Sequence, residues 1–248
     1  MKEIIKKWYN RLPFPESYDE AFNQLLESSN LKPIAFADYK EENYTKAENL
    51  LLFLYFCEDL QKKYQEKGID DVIFYDTIED IVRWTEVYYG LHGELGFDMY
   101  CWLKNHFSFT LFHLGRLQFN MAPDGLEVHI AAGKSLDIEA CEASFRASKS
   151  FFEKYFPEYQ YDRLTCDSWL LDSNLRSWLR EDSNIIRFQK FFTVEYEKED
   201  DAALRYTFPW NTTRENIPPT PTTGLHGKLR EHVLAGGKLH CGFGTRPK

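Results

Sequence analysis

Through the first part of the chain, apolar positions recur at helical spacing. Ile4, Ile5, Trp8 and Leu12 mark a helix over residues 2–12, which Pro13 and Pro15 end. Ser17 and Glu20 stand at capping-box spacing ahead of Phe22, Leu25 and Leu26, so a second helix is expected there. Thr45 and Glu48 repeat the device ahead of a run from Leu50 to Phe56 that is apolar nearly all round and turns polar toward Lys67 and Gly68. The first half of that helix is expected to be centrally buried. Further helices are expected from Thr77 through Ile78, Ile81, Val82 and Tyr88 to Gly90, and from Leu95 to Leu103.

The period then changes from helical to two. Leu117, Phe119 and Met121 alternate with Gln118 and Asn120; after Pro123, Asp124 and Gly125, Leu126, Val128 and Ile130 alternate with Glu127 and His129. This predicts a β-hairpin. If the apolar residues share one face, Phe119 lies opposite Val128 and Gln118 opposite His129, because a one-residue slip would mix the faces. Gln118, Asn120, Glu127 and His129 then share the polar face. A helix with Asp137 as N-cap should bury Ile138, Cys141, Phe145 and Phe152 and stop at Pro157. Strands are expected over Tyr161–Leu171 and Ile185–Tyr196, with a short helix between them near Leu175–Leu179. Residues 217–224, rich in Pro and Thr, read as a stiff surface connection. A last helix is expected over Leu225–Leu234, then an edge strand or loop from Lys238 to Gly244. The fold class is thus α+β: a helical N-terminal domain, residues 1–105, and a mixed-sheet domain, residues 106–248.

The 248 residues are 43% hydrophobic and 17% aromatic, enough to bury a sizeable core. With 39 acidic against 30 basic residues, the net charge of −9 provides no field to gather nucleic acid or an anionic membrane surface. No apolar run approaches the ~20 residues a bilayer span requires, and no secretory signal is evident at the N-terminus, so a cytoplasmic location is expected. Cys57, Cys101, Cys141, Cys166 and Cys241 are scattered and odd in number, which fits free thiols in a reducing compartment.

Three places carry candidate chemistry, beside the single thiol of Cys166. Ala131, Ala132, Gly133, Lys134 and Ser135 join a strand to a helix, and small residues there let backbone N–H groups approach a phosphate at the positive helix end. The second place is the polar hairpin face, where Glu127 and His129 are candidate proton-transfer groups and Gln118 can fix the imidazole tautomer or bind a substrate carbonyl. Cys166 could serve as a nucleophile, but Asp167 beside it would raise rather than lower its pKa. The third place, His226, His232, His240 and Cys241, fits no zinc spacing, so no metal is expected.

Several segments, in order, resemble the C-terminal domain of GNAT-like acyltransferases: Gly115 to Phe119, Val128 to Gly133, Ala140 to Phe145, Cys166 to Asp172, Ser183 to Gln189 and Leu234 to His240. Residues 1 to about 105 resemble the helical domain that accompanies it. The resemblance implies two parallel strands that splay apart around an acyl-CoA or acetyl-CoA substrate. It also implies a pyrophosphate held by the loop from Ala131 to Leu136, and transfer of the acyl group to a small-molecule or peptide amine. The glycine-rich signature common in such loops is replaced here by the shorter Ala132, Gly133, Lys134 and Ser135. That replacement keeps open an alternative, a GNAT-like module that binds an acyl thioester or a protein partner without turnover.

Overall fold

The computed structural model describes residues 1–133, 135–221 and 223–248. The chain forms two compact units, Met1–His113 and Leu114–Lys248.

The first unit is helical: α1 Lys2–Arg11, α2 Asp19–Ser28, α3 Lys46–Lys67, α4 Asp71–Ile78, α5 Asp80–His92 and α6 Tyr100–Phe107. The expected capping box opens α3. The Thr45 hydroxyl accepts from the Glu48 backbone N–H at 3.2 Å, and the Glu48 carboxylate accepts from the Thr45 N–H at 2.9 Å. Gly68, with φ +69°, closes that helix in the left-handed conformation. Leu50 to Leu54 are fully buried, and Phe53 meets Phe97 and Phe107 edge-on with centroids 4.9 and 4.8 Å apart.

The other expected box does not form. Ser17 lies inside a 3₁₀ turn, Glu16–Tyr18, because the Pro15 carbonyl already accepts from the Tyr18 N–H at 2.9 Å. An N-cap needs extended backbone, which this turn denies. The helix expected from Thr77 to Gly90 is two helices meeting at Glu79, and α5 runs through Gly90 to end at Gly93, whose φ is +72°. Leu95 and Phe97 are buried in irregular chain before α6, which begins at Tyr100 rather than Leu95.

The sheet uses β1 Leu111–Leu114, β2 Leu117–Ala122 and β3 Gly125–Ile130. After α7 Ile138–Tyr155 come β4 Arg163–Ser168, α8 Leu175–Trp178, α9 Asn184–Gln189 and β5 Thr193–Glu199. α10 Ala202–Thr207, α11 Gly224–Leu234 and β6 His240–Pro247 complete the chain. The strand order is β1-β2-β3-β4-β6-β5. The hairpin has the expected register, Gln118 opposite His129 and Phe119 opposite Val128. Asp137 caps α7 by accepting from the Ala140 N–H at 2.7 Å. α7 packs on the apolar hairpin face through Phe119 and Phe145, whose rings are 6.2 Å apart.

Three expectations change. The strand expected over Tyr161–Leu171 is shorter, because the Ser168 hydroxyl accepts from the Leu170 N–H and starts a 3₁₀ turn, Trp169–Leu171. The strand expected over Ile185–Tyr196 begins as α9, capped by the Ser183 hydroxyl, and becomes strand only at Thr193. The C-terminal strand is not an edge. β6 lies between β4 and β5, where Gly242 and Gly244 let Leu171 and Phe192 sit against the strand: a Cβ on either glycine would come within 2.9 Å of them.

Candidate functional site

β3 and β4 run parallel, but only at one end. Leu126 pairs with Leu164 and Glu127 with Thr165; beyond them the register stops, and Val128–Ile130 and Cys166–Ser168 part. β3 then enters the loop that leads to α7. Buried Arg116 straps this loop from below: its Nε donates to the Ser135 carbonyl at 2.8 Å and its Nη1 to the Ala131 carbonyl at 2.9 Å. The Arg116 backbone N–H donates to the Ser144 hydroxyl of α7 at 2.7 Å, so one residue fixes loop and helix together. Gly133 has φ +87°, a conformation that favours glycine. Ala131, Ala132, Gly133 and Ser135 therefore stand together between strand and helix, while Lys134 lies outside the described residues.

The same register places the candidate proton-transfer groups on the other face of the hairpin from α7. Asn120 lies directly opposite Glu127 and donates from Nδ2 to Oε2 at 2.7 Å. His129 Nε2 lies 3.6 Å from the same carboxylate oxygen, a charge contact longer than a hydrogen bond. Glu127 is held below the ordinary carboxylate range, first by the neighbouring imidazole, against the opposing cost of burial, and then by the Asn120 amide. Gln118, opposite His129, is buried, whereas the Glu127 and His129 side chains are 41% and 30% exposed, with the His129 Nε2 atom itself buried. Because the Asn120 amide nitrogen is committed to a carboxylate, which can only accept, its Oδ1 is fixed the other way. That oxygen is buried and has no hydrogen-bond partner. A buried acceptor of this kind calls for a donor, such as an N–H brought by a ligand.

Arg116 is the residue that sequence reasoning passed over; Asn120 was placed on the polar face, but not its bond to Glu127. The hairpin register carried the signal for Asn120, since the residue opposite a candidate carboxylate is its nearest cross-strand neighbour. Arg116 offered only its place just before β2.

The remaining candidates are engaged elsewhere. Burial pushes the Cys166 thiol far above its ordinary range, with Asp167 adding to the rise, so it is no thiolate nucleophile. His232 Nε2 lies 2.9 Å from the Lys238 carbonyl and His226 packs on the Phe208 ring. His240 instead joins Asp172 and Glu197, whose potential ligand atoms lie within 4.8 Å of one another. These carboxylates already hold backbone. Asp172 accepts from the N–H groups of Asn174 and His240 at 2.8 and 2.9 Å, and Glu197 from that of Ser173 at 2.7 Å. The cluster thus pins the turn after β4.

The model of the N-acyltransferase N-terminal domain matches residues 13–109, and that of the GNAT-like C-terminal domain matches residues 111–246. Among solved structures, an acyltransferase mutant in complex with octanoyl-CoA is similar at a TM-score of 0.80 and 23% identity, over 99% of this chain and 88% of that one. An acyltransferase in complex with decanoyl-CoA gives 0.73 at 27% identity, over 91% of this chain and 75% of that one. An acyltransferase in complex with decanoyl-CoA and teicoplanin gives 0.73 at 23%, over 95% and 81%. Among curated proteins no sequence matches. A sheet with its fourth and fifth positions filled by β4 and β6, two strands that part before a strapped loop, and a family model spanning more than half of the residues lead to one conclusion: the chain belongs to the GNAT-like C-terminal domain family, with an N-acyltransferase N-terminal domain ahead of it.

Proposed function

We propose that this protein is an acyltransferase that takes an acyl group from acyl-CoA to an amine on a small molecule or peptide. The observation that carries the reading is the parting of β3 and β4 directly beside the polar hairpin face. The parted strands offer main-chain groups to an extended thioester arm, and the loop at Ala131–Ser135 offers its backbone to the pyrophosphate. The acyl-CoA complexes of the similar structures support this use, and the one holding teicoplanin supports a bulky acceptor. We keep the division into domains 1–105 and 106–248 as part of the reading; the two family models, which meet between residues 109 and 111, support it.

In the reaction the amine nitrogen attacks the thioester carbonyl carbon, the C–S bond breaks, the amine proton leaves, and the CoA thiolate takes up a proton. A carboxylate held below its ordinary range is a weak proton acceptor at neutral pH, so Glu127 is the poorer base. The proton goes to His129, and Glu127, steadied by Asn120, stabilises the imidazolium that forms. The Asn120 Oδ1 receives the amine N–H as it docks, which orients the nitrogen lone pair toward the carbonyl. Gln118 fixes the imidazole from the facing strand. A cytoplasmic location is part of the reading; no helix of the described residues is long and apolar enough to cross a membrane.

The test is release of free CoA thiol from octanoyl-CoA in the presence of a primary amine, followed with a thiol-reactive dye. Amine-dependent release, with acylated amine found by mass spectrometry, is the expected result. Gly133→Val should weaken CoA binding while the fold survives, since the positive φ and close backbone approach are both lost. Tight CoA binding without acylated amine from any tested acceptor would favour the non-catalytic binding module.

A further inference from the structure

A second cleft, of about 450 Å³, opens on the α7 side of the sheet. Its strand floor is Leu164 of β4 and Arg246 of β6, which are paired in register. Leu164 also pairs with Leu126, at the joined end of β3 and β4. Four residue steps along the strand, ~13 Å at ~3.3 Å each, lead from Leu126 to Ile130, where β3 enters the loop assigned to pyrophosphate. The cleft therefore lies toward the opposite end of the strands from that loop.

Cations and aromatic rings dominate its lining, with one acid, Glu142, among them. Arg146 and Lys149, one turn apart on α7, line it together with Arg246. No hydrogen bond or ion pair joins any of these three to a described residue, in a chain whose net charge is −9. The Arg246 guanidinium lies 4.1 Å from the centroid of Phe145 and 5.6 Å from that of Phe191. Its Nη1 is buried without a hydrogen-bond partner. Burial pulls the Arg246 pKa down, and the acid that opposes this, Glu142, acts through space rather than by a bond. Cation–π contact holds the guanidinium in place but satisfies none of its N–H donors. A half-buried guanidinium with no carboxylate bonded to it, flanked by two further cations that make no ion pair with a described residue, is a site short of an anion even with Glu142 on its wall.

We propose that this cleft binds a phosphate monoester carried on a small aromatic or planar group, at a site separate from acyl-CoA. The volume exceeds what inorganic phosphate needs and falls within the range of small-ligand pockets, roughly 300–1,000 Å³. A dianion matches the three unpaired cations better than a carboxylate does, the fourth, Lys248, being held by Glu153. The guanidinium forks onto two phosphate oxygens, Arg146 and Lys149 add charge at the rim, and the Phe145, Phe191 and Tyr161 rings offer apolar surface to the rest of the ligand.

The test is titration calorimetry with phenyl phosphate on the full chain saturated with CoA. One-to-one binding is expected, weakened at least tenfold in Arg246→Gln and, should that variant fold poorly, in the surface double variant Arg146→Gln with Lys149→Gln. Raising the salt should weaken it further. Three results would overturn the proposal: binding of benzoate as tight as that of phenyl phosphate, displacement of phenyl phosphate by CoA, or wild-type affinity in the double variant. No binding at millimolar phenyl phosphate would also end it.

Discussion

On one face of the β2–β3 hairpin, Phe119 and Val128 sit opposite each other, fully buried, with Phe119 against the Phe145 ring of α7; on the other face, one residue along, Asn120 and Glu127 sit opposite each other and bond. The two faces share a backbone and a register, and differ in what burial costs them. The apolar face is stabilised by leaving water. The polar face must offset desolvation with partners, and it does so incompletely, since Glu127 and His129 stay partly exposed and the Asn120 carbonyl has none. A polar surface kept at that cost is where an incoming substrate can supply what is missing, which is why the chemistry is assigned there.

Substitutions can break this contrast. The largest effect is expected from His129→Ala, which should slow acyl transfer by ~10²–10⁴-fold while thermal stability shifts by no more than about 0.5 kcal/mol. A loss of stability together with activity would make the polar face a second core. Next comes Phe119→Ala, expected to cost ~3–5 kcal/mol in denaturant unfolding and to leave the turnover of the folded fraction unchanged. The smallest effect separates the faces by pH. Because the Glu127 carboxyl is held below its ordinary value, its contribution to stability is present above the unfolded-state pKa of about 4.3 and is lost as pH falls through the folded-state value. The gap in melting temperature between wild type and Glu127→Gln should therefore narrow between pH 7 and pH 3, while the gap for Phe119→Ala does not depend on this group. A Glu127→Gln gap that stays constant over that range would remove the charge contact with His129.

The hairpin was legible because alternation and turn chemistry agreed: with the faces kept apart, one register remained, and it is the one observed. Thr45–Glu48 and Asp137 were legible as local signals, each cap standing in the extended backbone an N-cap needs. Ser17 failed because Pro15 had already begun a turn. Residues 185–196 misled because Ile186 and Phe188 alternate with Arg187 like a strand, yet α9 is too short to show a helical period and buries Ile186, Phe188 and Gln189 through long-range contacts. The centrality of β6 was hidden in its glycines, which read as weak strand but serve to admit Leu171 and Phe192. Of the candidate site, the register of the polar face could be read; the Arg116 strap and the orphaned Asn120 oxygen could not, because each depends on which way a side chain turns.

The position of β6 also governs how the sheet comes together in time. Arg163 pairs with Pro247, more than eighty positions along, and among the described residues β5 has no strand neighbour other than β6. Closing so long a loop is entropically costly, and contacts of this range form slowly. Until β6 arrives, β4 has one open edge and β5 has two, each a row of unpaired N–H and C=O groups able to template pairing with another chain. Refolding should therefore pass through a stage that aggregates in proportion to protein concentration, and that stage ends when the last strand joins β4 and gives β5 its partner.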